Sequence, residues 1–420
     1  MGLSSLLYSV GLGAYHLGIK IAAPFNAKAQ LWVKGRKDWQ DNLRAALTGK
    51  PLVWVHCASL GEYEQGKPVI EAIERQFPEK QVLVSFYSPS GYEVVKNREP
   101  NRTIIYLPAD TSENAKQFLQ IANPALAIFI KYEFWYHYLQ QLKHHKVPTL
   151  LVSGIFRPSQ PFFKQWGGLH REMLTCFSHF FVQDLASSQL LSDLGFRNIT
   201  ISGDTRFDRV VALQSAPKEL LVIEQFKAGR AVMVAGSTWP ADEKILRPLL
   251  PELIAIGWKI IIAPHDIDAH HIQQLSTEFG SKAITYSQGL IDSPANKDVL
   301  IIDNVGLLSH IYRYGEVAYI GGGMGNGIHN ILEAAASGLP VMFGHNYHKF
   351  KEAVDLVNLG GAFSVSSFET LKKQIDLLQD EEQYLNAAAT CQKYVADNVG
   401  ATSKVLNWIK EQVHLSDTTK

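Results

Sequence analysis

Leu52-Val53-Trp54-Val55-His56-Cys57, continued by Ala58-Ser59-Leu60-Gly61-Glu62-Tyr63-Glu64-Gln65-Gly66-Lys67-Pro68, is the stretch on which the fold turns. The run Leu52–Cys57 shows no polar alternation, as expected of a strand buried on both faces. A turn of small residues follows, and then a helical pattern over Gln65–Phe77. Strand, turn and helix in this order make the repeating unit of a parallel α/β sheet. Working outward, Val82–Phe86, Ile104–Leu107, Leu126–Ile130, Thr149–Val152 and His179–Val182 read as further strands, with another helical pattern at Phe134–Lys143. A second series comprises Ala231–Ala235, Lys259–Ala263, Val299–Ile302, Val317–Ile320 and Val341–Phe343, after a polar, structureless stretch around Gln214–Gly229. The expectation is two doubly wound, Rossmann-like domains over 39–212 and 213–420, the last ending in a helix with a polar tail. Ligands in such folds sit beyond the carboxyl ends of the strands, so the cleft between the domains is the expected site.

Chemistry at those strand ends begins with the opening stretch. Gly61 to Lys67 has the GxxxxGK spacing of a phosphate loop, but Pro68 stands where Ser or Thr must follow, and the phosphate-loop reading fails. What remains is Glu62 at the end of a strand, able to act as a general base or as an acid favoured by a helix dipole. Gly321-Gly322-Gly323-Met324-Gly325-Asn326-Gly327-Ile328-His329-Asn330-Ile331-Leu332-Glu333 follows another strand. Its glycines allow a ligand close to the backbone, with free N–H groups for a phosphate and Glu333 one turn into a helix for ribose hydroxyls; the alternative is a tight strand-to-helix turn. Ser237 and Thr238 each either cap the next helix, which carries Pro240 in its first turn, or face the cleft. Lys131-Tyr132-Glu133 and Gly203–Asp208, with Arg206, also lie at strand ends and suit either an anionic ligand or surface ion pairs. His265, His270, His271, His345 and His348 lack a metal-ligand spacing, and no metal is expected.

Composition bounds the function. The 420 residues carry 40 Lys+Arg and 40 Asp+Glu, a net charge of zero, which argues against nucleic acid as a partner. Hydrophobic residues at 46% predict a sizeable core, and three widely spaced cysteines (Cys57, Cys176, Cys391) read as unpaired thiols of a reducing compartment. The first 38 residues differ from the rest: there is no acid from Met1 to Lys37, the apolar residues Leu3, Leu6, Leu7, Val10, Ala14 and Leu17 recur at helical spacing, and Lys20, Lys28, Lys34, Arg36 and Lys37 follow. An apolar helix followed by cations suits an anionic cytoplasmic leaflet, lying on it or crossing it.

In this order and spacing the segments resemble the 3-deoxy-D-manno-octulosonic acid (Kdo) transferases of lipid A assembly. The resemblance runs through Leu31–Lys37, Ser59–Glu62, Glu133-Phe134-Trp135, Gly203–Asp208, Ser237-Thr238, the glycine run ending at Glu333, Gly344 and Asn346–Phe350. It implies a GT-B glycosyltransferase at the cytoplasmic face of the inner membrane. Such an enzyme transfers Kdo from CMP-Kdo to the lipid A precursor lipid IVA, with inversion and without metal or cofactor. Glu62 then matches the family's general base, and the other two catalytic positions fall on Lys131 and Arg206. CMP contacts fall on Pro264, His265, Val305, Gly306, Leu307, Asn330, Ile331, Leu332 and Glu333, with Ser59, Gly61, Ser237, Thr238 and His329 as further donor or acceptor contacts. Departures from the commoner family pattern are Lys131 for Glu, Arg206 for Lys, His265 for Arg, Leu307 for Glu and Trp239 for His. Competing readings are a UDP-sugar enzyme or epimerase, separable by its donor, and a non-catalytic nucleotide-binding module, for which Glu62 is dispensable.

Overall fold

The computed structural model describes residues 3–215 and 218–413, and divides into two compact units, Met1–Arg209 with Val399–Lys420, and Val210–Asn398. In the first unit the strands are β1 Leu52–Cys57, β2 Gln81–Phe86, β3 Ile104–Tyr106, β4 Pro124–Ile130, β5 Thr149–Gly154, β6 His179–Val182 and β7 Ile199–Ile201. They form one parallel sheet in the order β3-β2-β1-β4-β5-β6-β7. Every residue of β1 and β2 is buried, which is why these strands read as unbroken apolar runs. Trp54, Phe118, Phe129 and Tyr138 fill one face of the sheet, and Val53, Val55, Ile70, Ile73 and Val84 the other.

The second unit holds β8 Val232–Thr238, β9 Lys259–Pro264, β10 Ala283–Thr285, β11 Val299–Ile301, β12 Val317–Ile320, β13 Val341–Gly344 and β14 Ala362–Val365, ordered β10-β11-β9-β8-β12-β13-β14. This sheet too is parallel throughout. In each sheet the winding changes direction once, between β1 and β4 in the first and between β8 and β12 in the second. Such switch points are where α/β sheets bind ligands.

The structure corrects several expectations. The helix after β1 starts at Leu60, five residues earlier than read, because Ser59 and Glu62 close a capping box there. Pro68 is therefore inside that helix, which tolerates it with Gly66 packed on Ile130. Strands β7, β10 and β14 were not anticipated; β7 and β10 have three residues each and β14 has four. The stretch 214–229 contains a helix, Leu221–Lys227, anchored by buried Val222, Ile223 and Phe226. The closing helix, Ala401–Gln412, belongs with the first unit and not the second: Val405, Leu406 and Ile409 pack beside Val53 and Ile70. Asp208 fixes its start, accepting from the backbone of Gly400 and Thr402 at 2.7 Å each. The polar tail expected beyond it, 414–420, lies outside the described residues. All three cysteines are buried and unpaired.

Candidate functional site

At the first switch point the segments leaving β1 and β4 carry Glu62, Lys131 and Glu133. Glu62 lies in the first helical turn, where its Oε2 accepts from the backbone N–H of Ala58 (2.6 Å) and Ser59 (3.2 Å), while the Ser59 hydroxyl accepts from Glu62 N (3.4 Å). The helix-cap role is thus real. Yet burial and the nearby Glu133 charge push the Glu62 carboxyl up to about 7, against the opposing backbone bonds and Lys131. A carboxylate poised near neutrality is suited to taking a proton. Gly61 is exposed on the same turn.

Glu133 is itself buried, accepting from Trp135 Nε1 at 2.6 Å, with its Oε2 3.2 Å from His56 Nε2. His56 Nδ1 reaches Ser85 Oγ at 2.8 Å, and the same hydroxyl accepts from Trp54 Nε1 at 2.8 Å. This buried polar chain beneath Glu62 escaped sequence reasoning, which took Glu133 as part of a strand-end segment and of the family resemblance but not as a neighbour of Glu62. The available signal was one imidazole inside the apolar run of β1. Lys131 has a left-handed backbone (φ 67°), unusual for a side chain of its size, and its ammonium lies 5.3 Å from the Tyr132 ring. Arg206 follows β7 and grips Asp204 through Nε and Nη2, both at 2.8 Å. Burial raises the Tyr132 hydroxyl, and Arg157 and Arg206 counteract this electrostatically, so Arg206 acts on the residue next to Lys131.

At the second switch point the chemistry is of another kind. Asp242, fully buried, accepts from the backbone of Trp239 and Gly322 (2.9 Å each) and from Tyr319 OH (2.8 Å). It is Asp242, and neither Ser237 nor Thr238, that caps the helix Pro240–Leu246. Thr238 is buried with its hydroxyl on Glu243, and Ser237 is half-buried with φ 53°. The glycine run is demanded by backbone crossings. A Cβ on Gly321 would lie 2.1 Å from Ser237 O, and one on Gly323 would lie 2.6 Å from Gly344 N. Trp239, His265 and His329 stack, with ring centroids 4.7 Å (Trp239–His265) and 4.3 Å (His265–His329) apart. Trp239 Nε1 also donates to His329 Nε2 at 2.9 Å. Burial and His265 lower the His329 pKa. Beside this stack a cavity of about 370 Å³ is lined by Trp239, Gly322, Gly325, Gly327, His329 and Phe350.

The remaining nucleotide-contact candidates are unevenly placed. Pro264 is buried at the end of β9, His265 is exposed, and Val305, Gly306 and Leu307 occupy the loop after β11. Ile331 and Leu332 point into the core and offer a ligand only their backbone. The helix there has just five residues, Leu332–Ala336. Glu333 is thus in its first turn and not a turn inside, and the N–H of Leu332 already donates to Asn330 Oδ1 at 3.1 Å. Asn330 Nδ2 also donates to Glu333 at 3.4 Å. Among the described residues no group of three or more His, Cys, Asp or Glu side chains converges as metal ligands.

The N-terminal helices Leu3–Ala22 and Ala27–Gly35 meet at 117°, and no single helix among the described residues is long and apolar enough to cross a membrane. The first packs inside out. Its inward bonds run from Tyr8 OH to Asp110 (2.7 Å), Ser9 to His137 (2.9 Å) and His16 to Tyr87 (3.3 Å), whereas Leu6, Leu7, Val10, Leu17 and Ile21 are 52–65% exposed. Lys20, Lys28, Lys34 and Lys37 are exposed. Arg36, grouped with them in the sequence, instead turns inward: it donates to the carbonyls of Leu107 and Tyr87 (2.8 Å each), lies 4.0 Å from the Trp32 ring, and is lowered to about 10 by burial.

Residues 34–209 match the model of the family 3-deoxy-D-manno-octulosonic-acid transferase (kdotransferase). Relatives include the 3-deoxy-D-manno-octulosonic acid transferase of Rickettsia bellii, 28% identical over 78% of this chain and 79% of its own. That of Aquifex aeolicus is 25% identical, over 80% and 88%. Among solved structures, the UDP-GlcNAc 2-epimerase of Neisseria meningitidis superimposes with a TM-score of 0.62 at 12% identity, covering 86% of this chain and all of that one. MurG of Acinetobacter baumannii gives 0.53 at 12%, over 86% and 100%. These likenesses show the fold, two doubly wound domains of GT-B type. Sequence and fold point the same way: residues 34–209 match the Kdo transferase family, and along most of its length the chain is similar to transferases of that name.

Proposed function

We propose that this enzyme of lipopolysaccharide synthesis transfers Kdo from CMP-Kdo to lipid IVA with inversion, and that Glu62 is its general base. The observation that carries the reading is a carboxyl at the β1–β4 switch point held near pH 7 by burial and a second carboxylate. Glu62 takes the proton of an acceptor hydroxyl while that oxygen bonds to the anomeric carbon of Kdo. The bond from that carbon to the phosphate oxygen breaks on the opposite face, and CMP leaves with the electron pair. Both the Kdo carboxylate and the departing phosphate are anions, which Lys131 and Arg206 counter.

In this reading the first unit receives the acceptor. The second holds CMP-Kdo along Pro264, His265, Val305–Leu307 and Asn330–Glu333, with Ile331 and Leu332 contributing backbone alone. The outward apolar face of Leu3–Ala22, with Lys20 and Lys28 beside it, rests in the anionic leaflet where the lipid acceptor resides. Incubating the full chain with CMP-Kdo and a tetraacylated lipid A disaccharide tests the proposal. The expected result is a product heavier by whole Kdo units; consumption of a UDP-sugar with CMP-Kdo left intact would overturn it.

A further inference from the structure

Glu243 and His271 have no part in the chemistry above, yet they meet directly behind the segment that carries His265. Glu243 is buried in the helix Pro240–Leu246. Its Oε1 accepts the Thr238 hydroxyl at 2.9 Å, and its Oε2 lies 2.9 Å from His271 Nε2. His271 stands in the first turn of the helix Ala269–Phe279, with its Nδ1 3.1 Å from the backbone oxygen of Asp266. Carboxylate and carbonyl oxygens only accept. Only with a proton on each nitrogen, as an imidazolium, does the ring serve both oxygens at once. A cation is disfavoured at a helix N-terminus, so specific partners hold it there. The charged groups around it are Glu243 from the neighbouring helix and Asp268 at its own helix start, while Asp266 contributes its carbonyl.

The backbone is fastened at the same points. His265 N donates to Thr238 O at 2.9 Å, and Asp268 accepts from the N–H of His270 (2.8 Å) and His271 (3.1 Å). We infer that His271, clamped as an imidazolium between Glu243 and the Asp266 carbonyl, is a positioning residue that locks the segment 264–268 for the donor nucleotide and releases it when the ring becomes neutral. The inference rests on the reading of Pro264 and His265 as CMP contacts.

Burial opposes the His271 charge, but the Glu243 bond and charge, the Asp266 carbonyl and Asp268 outweigh it and raise the pKa. With the folded value raised, the clamp is complete below the ordinary histidine value of about 6.5 and is lost as pH rises through the folded value. Two measurements on the full chain test this. In ¹⁵N-histidine-labelled protein, the His271 ring (assigned with His271→Gln) should keep both ring protons above the ordinary histidine value of about 6.5. In parallel, CMP affinity is measured calorimetrically across the same pH range for the wild type and His271→Gln. Because every other titrating group is common to both proteins, the ratio of the two affinities isolates His271. The wild type should bind about twofold to tenfold tighter at low pH, the factor of one net hydrogen bond, and this advantage should vanish as the ring deprotonates. A ring already neutral at or below that value, or a ratio that stays at one, overturns the inference. A wild type that binds no CMP at any pH overturns the donor reading itself, while the ring spectrum still reports the clamp.

Discussion

The β1–β4 and β8–β12 switch points occupy equivalent places in their sheets but use buried carboxylates in opposite ways. In the first unit Glu62 and Glu133 act on each other: burial and mutual repulsion lift Glu62 towards neutrality, and the stabilising backbone bonds compensate only partly. In the second, Asp242 faces donors on every side and serves to pin the glycine run to the next helix. The cavity beside it is lined mainly by rings and glycines, with Asp242 and Asn326 among them. A carboxyl kept half-charged is suited to moving a proton, whereas one saturated with N–H and O–H donors shapes a cavity.

The sharpest way to break this comparison is at Glu62. Glu62→Gln preserves the capping box, since Gln serves the same position, and should cut transfer by about 10²–10⁴ while leaving CMP binding unchanged. The raised folded pKa of Glu62 means that its contribution to stability is present below about 4.5 and is lost as pH rises through about 7. The Gln variant should therefore match wild type in thermal melts near pH 4 and exceed it near pH 8. Wild-type transfer rates in the variant would remove Glu62 from the chemistry.

Asp242→Asn probes the other side. Its amide places a donor against groups that already donate, so the second unit should lose about 1–3 kcal/mol, read by calorimetry as a melting transition several degrees lower, together with weaker CMP binding. Unchanged melting would mean that Asp242 does not organise that unit. The smallest effect expected is at Lys131. Lys131→Met should lower kcat about tenfold, equivalent to ~1.4 kcal/mol of transition-state stabilisation, and Lys131→Arg should keep part of that rate. If both turn over like wild type, the left-handed Lys131 only shapes the strand exit and Arg206 is left to counter the charge.

What could be read from the amino-acid order follows from burial. β1, β6 and β12 were placed to the residue because Leu52–Cys57, His179–Val182 and Val317–Ile320 are short, largely apolar and sharply bounded. β7 (Ile-Thr-Ile) and β10 (Ala-Ile-Thr) are edge strands with a threonine among three residues, so they lack the apolar run that marks the equally short β3 and β11, and they escaped. The amphipathic pattern of Ala401–Gln412 revealed a helix but not which sheet it covers, since apolar faces are interchangeable in sequence. At the candidate site, Glu62 was recognisable as a carboxylate at a strand end. Its coupling to Glu133 joins residues 71 positions apart across β1 and β4, and the stack of Trp239, His265 and His329 forms only when three separate strand exits converge.

The return of the chain to the first unit has a consequence for biosynthesis. Residues 210–398 form an uninterrupted insertion, whereas the face of the first sheet bearing Val53 and Ile70 is covered by residues 405, 406 and 409. During translation, which proceeds from the N-terminus, the half made first must wait for the last helix to leave the ribosome before its core closes. The half made second has its whole sequence available earlier. Folding is therefore expected to finish in the reverse of the order of synthesis, and a nascent chain stalled near residue 398 should present a protease-resistant second unit beside a first unit still open along the groove that the closing helix fills.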